Sequence, residues 1–153
     1  MTLRRSVALV LLVVLAGGWW TVHETMPGWY TRLWFPLPHS ATVRREAERY
    51  RLDPALVAAV VHVESRWTPD TTSKAGAVGL MQLMPETARF IASRPDRPSP
   101  PPDRLTDPDV NLAYGTWYLR YLIDRYDAVV PALAAYNGGV ANADRWQAAA
   151  RAE

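Results

Sequence analysis

The sequence predicts a mainly α-helical protein, and three observations carry that prediction. No alternating apolar and polar run of useful length marks a strand. Helix-start signals recur: Asp53-Pro54 and Asp107-Pro108 each pair a capping carboxylate with a first-turn proline, and Pro85-Glu86-Thr87 supplies another first-turn proline. Behind these starts, apolar side chains return at helical spacing, as in Val110, Tyr114, Trp117, Tyr118, Tyr121 and Leu122. No internal repeat is present.

The elements follow in order. Arg4 and Arg5 precede an uncharged stretch from Ser6 to Val22 with Val7 to Leu15 as its apolar centre, the layout of a signal sequence. Seventeen residues at about 1.5 Å each reach roughly 25 Å, the lower limit for crossing a bilayer, so an uncleaved anchor and a cleaved signal peptide both fit. Ala16-Gly17-Gly18 suits cleavage. Trp19, Trp20, Trp29, Tyr30, Trp34 and Phe35 suit retention, because such rings favour the membrane interface, and retention is the reading we carry forward. Residues 1–22 are therefore expected to be a signal-anchor, 23–39 a juxtamembrane linker and 40–153 one globular domain. The N-terminus stays in the cytoplasm and the domain lies outside the membrane.

Within that domain, Ala41 to Tyr50 carries alternating charges and is expected to form a short solvated helix. Asp53-Pro54 opens an apolar helix reaching Ser65, and Trp67 to Gly76 is a polar loop. Pro85 starts a helix to about Ser93. Five prolines between Pro95 and Pro102 make an irregular connection before Asp107-Pro108 opens the aromatic-striped helix, whose rings are expected in the core. Ala132 to Tyr136 is a short helix broken at Asn137-Gly138-Gly139, and Val140 to Ala150 is the last.

Composition excludes several classes. With 153 residues, 21% charged and 49% apolar, and one long apolar run, the chain is neither disordered nor polytopic, and holds one core. There is no cysteine, hence no disulfide and no thiol nucleophile. The formal charge is +2 with no dense Lys/Arg run, which argues against nucleic acid as a partner. His23, His39 and His62 share no ligand spacing with carboxylates, so no metal is expected, and nothing calls for a cofactor. Ser65 lacks a His-Asp pattern and is assigned a structural hydrogen bond.

Glu64 is the chemically informative residue. It ends the run Asp53 to Val63, in which Leu56, Ala59, Val60 and Val63 mark one stripe and Val57, Val60 and Val61 another, so the helix is expected to be buried nearly all round. Desolvation and the negative end of the helix dipole both favour the neutral carboxyl. A carboxyl group protonated near neutral pH is what a general acid requires. The alternative is a structural glutamate paired with Arg66 or another arginine. Asp53, Asp107, Asp109 and Glu86 sit at helix starts and take capping or dipole roles, while Asp70 and Asp103 lie in loops.

Three segments stand together: Glu64-Ser65, then Gly76-Ala77-Val78-Gly79-Leu80-Met81-Gln82-Leu83-Met84-Pro85, then Ala134-Ala135-Tyr136-Asn137-Gly138-Gly139. With Asn111-Leu112-Ala113-Tyr114-Gly115-Thr116-Trp117-Tyr118-Leu119, their order and spacing resemble the soluble lytic transglycosylase family, goose-lysozyme-like enzymes that cleave peptidoglycan. The resemblance covers about residues 40 to 146 and implies a lysozyme-like helical domain. It puts the catalytic glutamate on Glu64, a serine near the site on Ser73, sugar-contacting groove residues on Gln82 and Met84, and the segment facing the glutamate on Tyr136 and Asn137. It implies cleavage of the MurNAc–GlcNAc bond without water to leave a 1,6-anhydro end. Glycan strands are the implied partner, and the N-terminal layout is similar to that of small members held to the bacterial cytoplasmic membrane by one helix, with an envelope or secretion apparatus as a further partner. Many members continue beyond the position of Trp146. That departure keeps a non-catalytic glycan-binding or scaffolding module open beside a hydrolytic muramidase helped by Asp70.

Overall fold

A computed structural model of the chain describes residues 18–21, 37–96, 98 and 104–152. Two compact units divide at residue 38: Met1–Pro38 and His39–Glu153. In the first, residues 18–21 form a helical turn with Trp19 and Trp20 exposed. Apart from that turn, the expected signal-anchor over 1–22 lies outside the described residues, as does most of the linker. Among the described residues, no helix is long and apolar enough to cross a membrane.

The second unit holds α1 (Ser40–Arg49), α2 (Pro54–Ser65), α3 (Pro85–Ala92), α4 (Pro108–Tyr126), α5 (Val129–Gly138) and α6 (Val140–Ala152). The start signals act as the sequence implies. The Asp53 side chain accepts from the Ala55 amide, the Asp107 side chain accepts from those of Asp109 and Val110, and each is followed by a first-turn proline. Helix α4 is the hub. It packs against α1, α3 and α5, while α2 leans on α1 and α6 on α5. Its residues from Val110 to Trp117 are all buried.

No strand forms among the described residues. Two isolated bridges, Thr72 with Val78 and Val78 with Leu83, fold the segment between α2 and α3 back on itself. Its inner end is core: Leu80, Met81 and Leu83 are at most 2% exposed. Gly79 makes this possible, with φ at +81° and its backbone so near the Asn111 amide and the Leu105 carbonyl that a β-carbon would collide with both.

Three expectations need correction. Helix α1 is not a solvated helix: it buries Thr42, Val43, Glu46 and Ala47, because its small and apolar residues share one face that meets α2 and α4. Helix α2 is not enclosed all round. Val57, Val60 and Val61 enter the core, but Ala59 is exposed and Val63 is 74% exposed, because that stripe borders an open cleft. The aromatic stripe of α4 is also divided. Tyr114 and Trp117 are buried, whereas Tyr118 and Tyr121 are only partly covered and border a second surface cleft with Phe90.

Candidate active site

An open cleft lies beside α2, between α2 and α5. Leu56, Ala59, Val60 and Val63 form one wall, Leu133, Tyr136 and Asn137 the other, and Glu64 stands at its edge. Glu64 is in the last turn of α2, where the chain then reverses through Arg66 and Trp67, both with positive φ. The reversal exposes the end of the helix without removing Glu64 from its apolar neighbours.

Burial raises the Glu64 carboxyl above its ordinary value. No described ion pair includes Glu64, so the pairing with Arg66 considered from sequence does not form. Ser65 donates to the Val61 carbonyl at 3.1 Å, one turn back, and so holds the helix end rather than the carboxyl. His62 is exposed on the flank of α2.

Tyr136 is the structural link between this cleft and the glycine-containing loop. Its hydroxyl donates to the Met81 carbonyl at 2.8 Å, and its ring meets Tyr118 at 5.6 Å between centroids. Burial, with the nearby Glu64 charge as a lesser cause, pushes the phenol well above its usual range, so it remains a hydrogen-bond donor at any physiological pH.

Of the expected site residues, Glu64, Tyr136 and Asn137 share this cleft. Ser73, Gln82 and Met84 lie on the loop that Tyr136 ties down and are not part of the cleft lining. Ser73 accepts from the Ala77 amide at 3.0 Å. Gln82, with φ at +45°, donates to the carbonyls of Gly79 and Thr71 at 2.9 and 3.1 Å, so its amide nitrogen fastens the loop. Met84 sits at the position before the first residue of α3, with no side-chain capping bond, and is half-buried.

Sequence reasoning passed over Asn111 as an individual residue. Fully buried, it accepts from the Met81 amide at 2.7 Å and donates to the Val78 and Leu105 carbonyls at 2.8 Å each. Its side chain thereby holds the loop on α4, while Met81 packs onto Gly115, whose missing β-carbon makes room for it. An asparagine on the buried face of a helix, 29 positions after a Gly-rich loop residue such as Gln82, was the available signal.

Among the residues lining the cleft, Glu64 is the only carboxyl group. Asp53 and Asp107 are occupied as caps, Asp109 accepts from Thr42 at 2.6 Å, and Asp70 is exposed. Asp103 lies outside the described residues. Among the described residues, no group of three or more His, Asp or Glu side chains is placed to hold a metal.

One partly desolvated carboxyl and a tyrosine thus share an apolar cleft in a helical domain. The chain is a member of the transglycosylase SLT domain family, whose model matches residues 41–153. It is 43% identical over 107 residues to a transglycosylase of Enterobacteria phage PRD1, covering 70% of this chain and 37% of that protein. The soluble lytic murein transglycosylase of Escherichia coli K12 is 32% identical over 138 residues, covering 84% of this chain and 21% of its own. A crystal structure of an inactive glutamate-to-glutamine mutant of the lytic transglycosylase Slt from Pseudomonas aeruginosa superposes with a TM-score of 0.68 at 32% identity, covering 82% of this chain and 20% of that one. This chain thus spans between about a fifth and under two fifths of the length of these relatives.

Proposed function

We propose that the domain from about residue 40 is a peptidoglycan lytic transglycosylase with Glu64 as general acid and then general base. The observation that carries this reading is a carboxyl group raised by burial, without a cationic partner among the described residues, on the wall of an apolar cleft. A neutral Glu64 first protonates the oxygen linking N-acetylmuramic acid to N-acetylglucosamine. The C–O bond breaks, the amino sugar leaves as an alcohol, and Glu64 becomes a carboxylate. That carboxylate then takes the proton of the muramyl C6 hydroxyl, whose oxygen bonds to C1 and closes the 1,6-anhydro ring. No water is consumed and Glu64 ends protonated.

The scarcity of carboxylates supports this over hydrolysis. Ordinary glycosidases use two carboxyl groups across the scissile bond, and the cleft lining offers one. The substrate's own hydroxyl replaces the activated water, and its N-acetyl group can steady the positive charge at C1. Tyr136 fixes the Met81 carbonyl and thereby the loop that presents Ser73, Gln82 and Met84, while Asn137 offers amide contacts at the mouth. We assign the domain to the outer side of the cytoplasmic membrane, held there by residues 1–22, with glycan strands as its partner.

The test is digestion of purified peptidoglycan by the chain and by Glu64→Gln, with muropeptides read by mass spectrometry. Anhydro-muropeptides from the parent, reduced about 10²–10⁴-fold or more in the variant, are expected. Reducing ends instead would make it a muramidase. Saturable glycan binding without release from a folded protein would make it a binding module.

A further inference from the structure

A separate open cleft lies between the end of α1 and the second half of α4, lined by Arg49, Tyr50, Arg51, Arg120 and Asp124. It shares no residue with the Glu64 cleft. Three guanidinium groups meet there against one carboxylate, an excess of positive charge that the chain's near-neutral total does not suggest.

The donors are incompletely used. Arg120 binds Asp124 through one terminal nitrogen, and its buried Nε has no hydrogen-bond partner. The buried Tyr50 hydroxyl also has none. Arg51 enters none of the described ion pairs, and Arg49, whose guanidinium lies 5.4 Å from the Tyr50 ring centroid, has its Nη1 3.8 Å from Glu46 Oε2. Arg51 adopts φ of +53°, a conformation uncommon outside glycine, which turns the chain at the rim. Three of the last four carbonyls of α1, which would repel an anion, have partners: that of Glu46 in the Tyr50 amide, that of Ala47 in Leu52 and that of Glu48 in Arg51.

We propose that this cleft binds a phosphate group, with Arg49, Arg51 and Arg120 as its cationic walls. Guanidinium forks match phosphate oxygens two at a time, and a dianion offsets an excess charge that carboxylates of the protein leave uncompensated. Asp124 acts as the resident competitor, holding Arg120 until the ligand arrives. The site is independent of Glu64 and of the reaction assigned to it.

Calorimetric titration of the full chain in neutral detergent with inorganic phosphate, against chloride at equal ionic strength, tests this. Saturable one-site binding is expected, weakened about tenfold by Arg51→Gln and by Arg120→Gln. Asp124→Asn should tighten binding, since it frees the Arg120 fork. Arg51 and Asp124 are exposed, so these two variants answer even if Arg120→Gln disturbs the fold. Binding of glycerol 1-phosphate as well as inorganic phosphate identifies an esterified phosphate, as on a headgroup or polymer; binding of inorganic phosphate alone identifies the free ion. Heats no larger than those of chloride, or binding indifferent to both Arg51→Gln and Asp124→Asn, would overturn the proposal.

Discussion

Neighbouring helices α1 and α2 each carry one glutamate withdrawn from water, and the two are treated in opposite ways. Glu46 is 3% exposed and flanked by cations, accepting from Arg45 Nε at 2.9 Å with Arg49 at 3.8 Å. Glu64 is more open yet enters no ion pair among the described residues, and the cleft it lines also includes Val60, Val63 and Leu133. A carboxylate that serves the scaffold is charge-matched, because leaving it unmatched costs several kcal/mol. One that is left unmatched keeps its proton more readily, and that property is useful in chemistry and of no use in packing.

The largest expected effect comes from the most completely matched polar group of all. Asn111→Ala removes three hydrogen bonds, two of them buried, and leaves the Met81 amide and the Leu105 carbonyl without the Asn111 partner, while the Val78 carbonyl keeps the Leu83 amide. A loss of roughly 3–5 kcal/mol is expected in urea unfolding. A loss under 1 kcal/mol would show that the loop is held by Leu80, Met81 and Leu83 alone, and the distinction between matched scaffold and unmatched site would lose its main support.

Glu46→Ala should cost about 1–3 kcal/mol, less than a fully enclosed ion pair because Arg45 and Arg49 are half-exposed and can return to water. Its glycan cleavage per folded molecule should be unchanged. Val63→Ser reverses the pattern. With Val63 already 74% exposed, the change should shift stability by no more than about 0.5 kcal/mol. Cleavage should fall, because a hydroxyl wets the wall beside Glu64 and lowers the fraction of neutral carboxyl. Equal activity across pH in this variant would separate the apolar wall from the acid it is argued to tune.

Much of this contrast was legible in the residues. Asp-Pro helix starts at 53 and 107 are local signals with local causes, so those boundaries needed no tertiary knowledge. Glu64 stood out because a carboxylate after Val60, Val61 and Val63 has few structural explanations. The burial of Glu46 was hidden by its setting: Arg44, Arg45, Glu46, Glu48 and Arg49 look uniformly solvated, and only the packing of α1 on α4 selects one of them. The bare stripe of α2 was hidden for the converse reason. Apolar periodicity marks a face that avoids water, but whether protein or ligand covers that face is decided by α5, which contributes Leu133 and Tyr136 from some 70 residues away. Gln82 illustrates a third limit, since a side chain suited to sugars is equally suited to the carbonyls of Thr71 and Gly79.

The smallest effect isolates the unmatched carboxyl itself. In the folded protein the Glu64 carboxyl titrates above its unfolded value, so folding favours the protonated form. Below the unfolded value, near pH 4, both states are protonated and this group takes nothing from stability. As pH rises through the folded value, the native state must either keep its proton or ionise in an apolar cleft, and stability falls relative to a chain without the group. Glutamine cannot ionise. Glu64→Gln should therefore melt at the same temperature as the parent near pH 4 and slightly higher at pH 7–8, by an amount that solvent access to the half-exposed group keeps small. Melting curves across pH for both proteins decide the matter: a variant that loses ground to the parent as pH rises would mean that an attraction to ionised Glu64 outweighs its desolvation, and the contrast with Glu46 would vanish.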